Sequence, residues 1–187
     1  DCFYCAFFEK ENYDFLILEM GVDKPGDMDV LLGIVQPDIA IFTGVAPVHL
    51  AHGQFENLQD IYLEKSKIFQ NLPADGILFL HDDQKPKMRA KVVTYGTEDS
   101  VKLRAGNIEM SWNGLEFDVQ YGEVKGHFSV PILGKHHVIA LLPAIGCALL
   151  NGMYMADIME ALKNFLLPPG RLNFISGIRD SVILDGS

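Results

Sequence analysis

Three kinds of side chain in this 187-residue chain sit where a charged ligand could use them. Glu19 closes the apolar run Phe15-Leu16-Ile17-Leu18, and His49 stands shortly beyond the run 39–43. Asp82 and Asp83 follow the run 76–80. A carboxylate and an imidazole at neighbouring strand ends could hold Mg²⁺ beside phosphates. A lysine, Lys65, opens Lys65-Ser66-Lys67-Ile68-Phe69 on a helical stretch. Each residue alone has a plain alternative. An acid after a strand also serves as a turn or cap residue, His49 in Pro47-Val48-His49-Leu50 reads as a packed histidine, and Lys65 reads as a solvated lysine.

The elements that must position these residues follow from the pattern. Unbroken apolar runs at 15–19, 39–43 and 76–80, each ending in polar residues, predict parallel strands buried on both faces. Helical spacing predicts helices over 27–36 and 57–71 between them. This alternation specifies an α/β fold with an open, mainly parallel sheet, and ligands gather at the carboxyl edge of such sheets. Glu19 and Asp82 are expected at that one edge. Lys91 to Tyr95 reads as the last parallel strand. Beyond it come short alternating runs such as Leu115-Glu116-Phe117-Asp118-Val119, punctuated by Asn113-Gly114 and Gly122. They predict a small antiparallel β section with a hairpin at Asn113-Gly114. Helices near 137–150 and 155–166 and strands near 172–176 and 181–185 complete the chain.

Composition narrows the function. Hydrophobic residues make up 49% of the chain, enough for one domain core over residues 1–187. The net charge of −10, from 25 acids and 15 bases, argues against nucleic acid as a partner. No apolar run approaches the roughly 20 residues of a membrane span, so no membrane partner is expected. The start, Asp1-Cys2-Phe3-Tyr4-Cys5, lacks the basic region of a signal peptide. Cys2 and Cys5 form a lone CxxC without the second pair that a zinc site requires, and two small apolar residues on a short helix is the simpler reading. A reducing cytoplasm fits this cysteine usage.

The order of the pieces resembles the Mur ligases, ATP-dependent amide-forming enzymes of bacterial cell-wall synthesis. Glu19-Met20-Gly21-Val22-Asp23-Lys24-Pro25-Gly26-Asp27-Met28 is similar to the E-x-G-x-x-x-x-G-E-I stretch of the branch that adds D-alanyl-D-alanine. Gly134-Lys135-His136-His137 through Ala144 is similar to the family's G-x-H-N-x-x-N-x-x-A-A helix start. Pro169-Gly170-Arg171-Leu172 matches its P-G-R-L, and Val182 to Ser187 its strand into D-D-x-Y-N-A-N-P. The resemblance covers essentially the whole chain and implies the family's middle, ATP-binding domain, with a sheet of P-loop NTPase type.

The resemblance also implies roles. Glu19, His49 and a carbamylated Lys65 would hold Mg²⁺ near the phosphates of ATP and serve catalysis. Asp82, Asp83, His136, His137, Arg171 and Asp185 would line the nucleotide, with His136 and His137 beside adenine and Arg171 near the phosphates. The reaction implied joins D-alanyl-D-alanine to a UDP-N-acetylmuramoyl peptide through an acyl phosphate, by a cytoplasmic and monomeric enzyme. Residues two apart on a helix point about 200° apart, so Lys65, bordering the buried side, is expected to be the functional lysine and Lys67 an exposed one. The sequence departs from the family at His137 and Ala140, where asparagines are usual, and at Gly186, where an aspartate is usual. No G-x-x-G-K-[ST] loop occurs within these residues. The phosphate loop, the UDP-substrate domain and the C-terminal domain are expected outside them, and these 187 residues alone are expected to be inactive. A folylpolyglutamate-synthase-like ligase and a non-catalytic nucleotide-binding module are the alternatives.

Overall fold

The structure is a computed structural model that describes residues 13–47, 50, 54–81, 88–168, 170–171, 173–176 and 178–185. Six strands form one sheet in chain order: β1 (Ile39–Phe42), β2 (Ile77–Leu80), β3 (Lys91–Gly96), β4 (Leu103–Ser111), β5 (Gly114–Tyr121) and β6 (Val124–Val130). The pairs β1–β2 and β2–β3 are parallel, and β4–β5 and β5–β6 are antiparallel. A brief parallel join of β3 to β4 spans only Tyr95–Leu103 and Gly96–Arg104. The short connection between those strands leaves no room for a full crossover. The α/β sheet expected from the apolar runs is therefore present, as a mixed sheet with a parallel half and an antiparallel half.

The two halves bury differently, as their sequences require. Leu78, Phe79 and Leu80 of β2 are all buried in succession, so both faces of that strand are covered. Along β5, buried Leu115, Phe117 and Val119 alternate with more accessible Glu116, Asp118 and Gln120, so one face is solvated. Helix α1 (Asp27–Ile34) and helix α2 (Leu58–Gln70) pack together through Val22, Met28, Leu32, Phe55 and Ile61. From α2, Phe69 meets Ala40, Phe42, Leu78 and Leu80 of the sheet. Helix α3 (His137–Leu150) supplies Val138, Leu141, Leu142 and Ile145 to the principal core, against Phe79, Val93, Leu103 and Phe117. Helix α4 (Met155–Leu162) lies over β6, where Gly126 leaves room for Met155 and Met159. A separate hairpin pairs β7 (Asn173–Ser176) with β8 (Val182–Asp185), with Asn173 opposite Asp185.

The turns follow their residues. Trp112-Asn113 joins β4 to β5, with Ser111 opposite Gly114. Gly122, at φ 60°, opens the turn between β5 and β6. A bulge at Asn107 (φ 50°) shifts the β4 register between Gly106 and Glu109.

One expected strand is absent. Residues 15–19 form no strand, and Phe15, Leu16, Ile17 and Leu18 are exposed. An apolar run becomes a buried parallel strand only where a neighbour pairs with it and helices cover both faces. Among the described residues, β1 has β2 on one side and no strand on the other. Cys2 and Cys5 lie outside the described residues. Cys147 is half-buried on α3, where burial pushes its thiol up to about 11. No helix among the described residues is long and apolar enough to cross a membrane.

Close approach of α3 to the sheet can be tested at Gly146. An exposed helix-interior glycine replaced by alanine ordinarily gains about 1 kcal/mol. A Cβ at Gly146 would stand 2.8 Å from Leu103 Cδ2 and collide with the buried Phe79 ring. Gly146→Ala is expected to lose roughly 1–3 kcal/mol by overpacking. Gly33→Ala on α1, where a Cβ meets open space, is expected to gain up to about 1 kcal/mol. Urea unfolding of both variants reads the opposite signs, and a stabilised Gly146→Ala would contradict this packing.

Candidate functional site

The carboxyl edge of the parallel half is defined by Phe42, Leu80 and Gly96. The buried Tyr95 hydroxyl donates to the Phe42 carbonyl at 3.3 Å and ties β3 to β1 across β2. Burial pushes the Tyr95 phenol up to about 12, so it remains a neutral donor. His81, at the end of β2, lies with its ring 5.3 Å from that of Tyr95. His49, Asp82 and Asp83 fall outside the described residues.

Helix α2 begins with Asn57, whose side chain accepts the Asp60 amide at 3.1 Å and caps the helix. Its buried stripe is Ile61, Glu64 and Phe69, with Ile68 partly buried. Lys65 is half-buried at the border of this stripe, as the helical spacing predicts. It makes no hydrogen bond or ion pair among the described residues. Cα–Cβ bonds tilt toward a helix's amino end, so this helix aims its side chains toward Asn57. Glu19 is exposed on the segment leading into α1.

Lys67 differs from expectation. It is not a solvated lysine: its ammonium lies 2.6 Å from Asp29 Oδ2 and 2.8 Å from Glu64 Oε2. Its pKa is raised by the hydrogen bonds to Asp29 and Glu64. Glu64 is 95% buried and also accepts the Met28 amide at 2.9 Å. Burial pushes the Glu64 carboxyl upward, yet Lys67 and the backbone amides of Gly26 and Met28 outweigh it and hold the group low. Reading by residue type overlooks Glu64. Its signal is an acid three residues after Ile61 and four before Ile68, within the apolar stripe.

The amino end of α3 gathers a second set. Gly134 (φ 100°) turns the chain, and a Cβ there would fall 3.0 Å from His136 Nδ1. The rings of His136 and His137 lie 4.1 Å apart. Burial lowers the His137 pKa, and the charges of His136 and Arg171 lower it further. Arg171, just before β7, therefore lies within electrostatic reach of His137, and Asp185 sits half-buried at the same end of the β7–β8 hairpin. His137 Nε2 is buried with no hydrogen-bond partner. Buried polar atoms are rarely left unpaired. This nitrogen is closed off beneath the exposed ring of His136, which is the side chain accessible at this end of α3.

A cavity of about 290 Å³ lined by Tyr62, Ser66, Phe69, Gln70, Leu72 and Met88 lies elsewhere. Gln70 and Leu72 lead into β2, and Met88 precedes β3, so this cavity opens at the amino edge, away from where α/β sheets bind ligands. No group of three or more acidic, histidine or cysteine side chains able to hold a metal occurs among the described residues.

His137 makes stability depend on pH. Its folded pKa lies below the ordinary imidazole value of 6.5, so the unfolded chain takes up the proton first. Its contribution is present above 6.5 and is lost as pH falls toward the folded pKa. His137→Asn is expected to flatten this part of the profile. Urea midpoints measured across that range check it, and an unchanged slope would contradict the burial.

The profile of the Mur ligase middle domain matches residues 3–148. The chain is 28% identical to the UDP-N-acetylmuramoyl-tripeptide–D-alanyl-D-alanine ligase of Bacillus subtilis, over 88% of its own length and 36% of that protein's. It is 32% identical to the UDP-N-acetylmuramoyl-L-alanyl-D-glutamate–2,6-diaminopimelate ligase of Clostridium botulinum, over 89% of this chain and 34% of that one. The chain thus spans about a third of the length of these relatives. Its fold is similar to that of the MurF ligase from Thermotoga maritima solved in complex with ADP, with a TM-score of 0.80 at 18% identity, covering 95% of this chain and 42% of that one. The family profile, matched over most of the chain, identifies it as a member of the Mur ligase middle domain family.

Proposed function

We propose that this chain is the nucleotide-side core of an ATP-dependent ligase that joins D-alanyl-D-alanine to a UDP-N-acetylmuramoyl peptide. The observation that carries the reading is the contrast within α2: Lys65 is half-buried and unpaired among the described residues, whereas Lys67 is held by two carboxylates. The Lys67 ammonium is occupied by two carboxylates, whereas the Lys65 side chain is left open for other chemistry. Lys65 is therefore the side chain suited to take up CO₂ as a carbamate and so become an anionic metal ligand. Glu19 and His49 would complete that set around Mg²⁺.

ATP would supply the phosphoryl group that activates the peptide carboxylate toward the amine. This chain's residues would bind and orient it. His136 and His137, at the start of α3, would border the base. Arg171 would face phosphate with a forked guanidinium, and Asp185 lies at the same hairpin end. Asp82 and Asp83 would act from the end of β2. The UDP-substrate and amine-substrate domains would belong to the rest of the protein, which we take to be cytoplasmic and monomeric.

The acceptor is the point at which relatives divide. The D-alanyl-D-alanine ligase of Bacillus subtilis and the diaminopimelate ligase of Clostridium botulinum are similarly close to this chain. The Glu19-Met20-Gly21 and Gly26-Asp27-Met28 pattern favours D-alanyl-D-alanine. ADP release by the full-length protein, assayed with UDP-N-acetylmuramoyl tripeptide and D-alanyl-D-alanine against the dipeptide and diaminopimelate, separates the two. Turnover only with the second pair would overturn the assignment.

The lysine assignment makes a sharper prediction. In the full-length protein, Lys65→Ala is expected to lower ligation by a factor on the order of 10² or more, given the weight of electrostatic stabilisation in such chemistry, with no rescue by bicarbonate. Lys67→Ala is expected to lose far less turnover than Lys65→Ala and to unfold at lower urea, because it strips the buried Glu64 of its cation but leaves the Met28 amide bonded to it. A Lys65→Ala enzyme with normal turnover would refute the site.

A further inference from the structure

We propose that Glu64 is a positioning residue for the ligation reaction: its buried carboxylate locks the turn of α2 that bears Lys65 against the segment that bears Glu19. The proposal rests on the reading of Lys65 and Glu19 given above. Glu64 is 95% buried in a stripe otherwise made of Ile61, Ile68 and Phe69. A leucine would fill that place without the cost of desolvating a charge. The carboxylate adds direction. One oxygen accepts the Met28 amide at the amino end of α1 at 2.9 Å, and the other meets Lys67 at 2.8 Å. Lys67 in turn reaches Asp29 on α1 at 2.6 Å. A small apolar contact sets how closely two helices approach but favours no one partner atom, whereas a hydrogen bond to one backbone amide holds that pair of atoms within a few tenths of an ångström.

The lock reaches both candidate metal-holding residues. Lys65 follows Glu64 directly. On the other side, the Asp27 carboxylate accepts the amides of Asp23 and Lys24 at 2.9 and 3.0 Å, so the chain from Asp23 to Met28 is a stapled turn. Met20 and Val22 extend this order toward Glu19 by packing on Met28, Leu32, Phe55 and Ile61. Glu19 itself is exposed, and its position is set by these neighbours. Catalytic groups displaced by about 1 Å lose rates on the order of 10²-fold, so a residue that holds two ligand-bearing segments in register affects turnover without touching substrate.

The test is kinetic and uses the full-length protein. Glu64→Ala is expected to lower kcat at least tenfold and to raise the Mg²⁺ concentration at half-saturation at least fivefold, with the KM for the amine substrate changed less than twofold. Glu64→Gln, which keeps an oxygen to accept the Met28 amide, is expected to restore most of both losses. Gly146→Ala, destabilised at a distance from this edge, is expected to keep the wild-type Mg²⁺ dependence, which separates positioning from stability. Should Glu64→Ala fail to fold, Glu64→Leu, which packs on Ile61 and Ile68, is read in its place with the same kinetic defect expected. Amide exchange at Met28 is expected to accelerate at least tenfold in Glu64→Ala and to stay slow in Lys65→Ala. An inactive Lys65→Ala beside a Glu64→Ala of wild-type kcat and Mg²⁺ dependence overturns the proposal alone. A fully active Lys65→Ala overturns the reading of the site, and the proposal with it.

Discussion

Burial of β2 on both faces is the constraint from which the rest of the structure follows. Leu78 and Leu80 turn to Phe42 and Phe69, and Phe79 turns to the opposite core with Val93, Leu103 and Ile145. A strand so placed satisfies its backbone only through neighbours on either side, and β1 and β3 pair with it in parallel. Parallel neighbours require long crossovers, and the β1–β2 crossover contains α2. The helix that carries Lys65 is thus a topological consequence of the strand it covers, and its amino end points to the carboxyl edge.

The parallel half was legible because its information is local. Four apolar residues in a row at 39–42 and at 77–80, with helical spacing between them, admit few other folds. The β4–β5 hairpin was legible for the same reason, since turn chemistry acts over a few residues, although its turn is Trp112-Asn113, one residue before the expected Asn113-Gly114. The run 15–19 has the same composition as β1 and yet makes no strand. Strand formation depends on a pairing partner and on cover, neither of which is written in the run itself. The partnership of Lys67 was hidden in a similar way. Asp29 lies 38 positions away in sequence, and only the packing of α1 on α2 brings it to the ammonium.

The residues of the proposed site were legible to different depths. Helix phase places Lys65 at the border of the side defined by Ile61 and Phe69, but Lys67 is half-buried as well, and only its carboxylate partners distinguish the two. His136, His137 and Arg171 were recognisable by order along the chain, but their electrostatic proximity depends on where the β7–β8 hairpin returns. Glu64 carried a signal of another kind, a charge in an apolar stripe. Such a residue is a contradiction at the level of pattern, and contradictions of that sort concentrate where geometry matters more than stability.

Two different forces hold the two sides of the proposed site. On its proposed metal side, Lys65 and the Glu19 segment are related through the α1–α2 contact, a small cluster with five buried hydrophobic residues among the described ones, fastened by one buried carboxylate. On the base side, His137 sits at the start of α3, whose remaining length is anchored in the principal core through Val138, Leu141, Leu142 and Ile145. The first contact is narrow and directional, and the second is broad and apolar. A broad apolar contact tolerates change one methyl group at a time, whereas a directional one is either made or lost. Substitution at the start of α3 can therefore leave the helix in place. The metal side has no such reserve, and its precision depends on hydrogen bonds that the small α1–α2 cluster is too slight to replace.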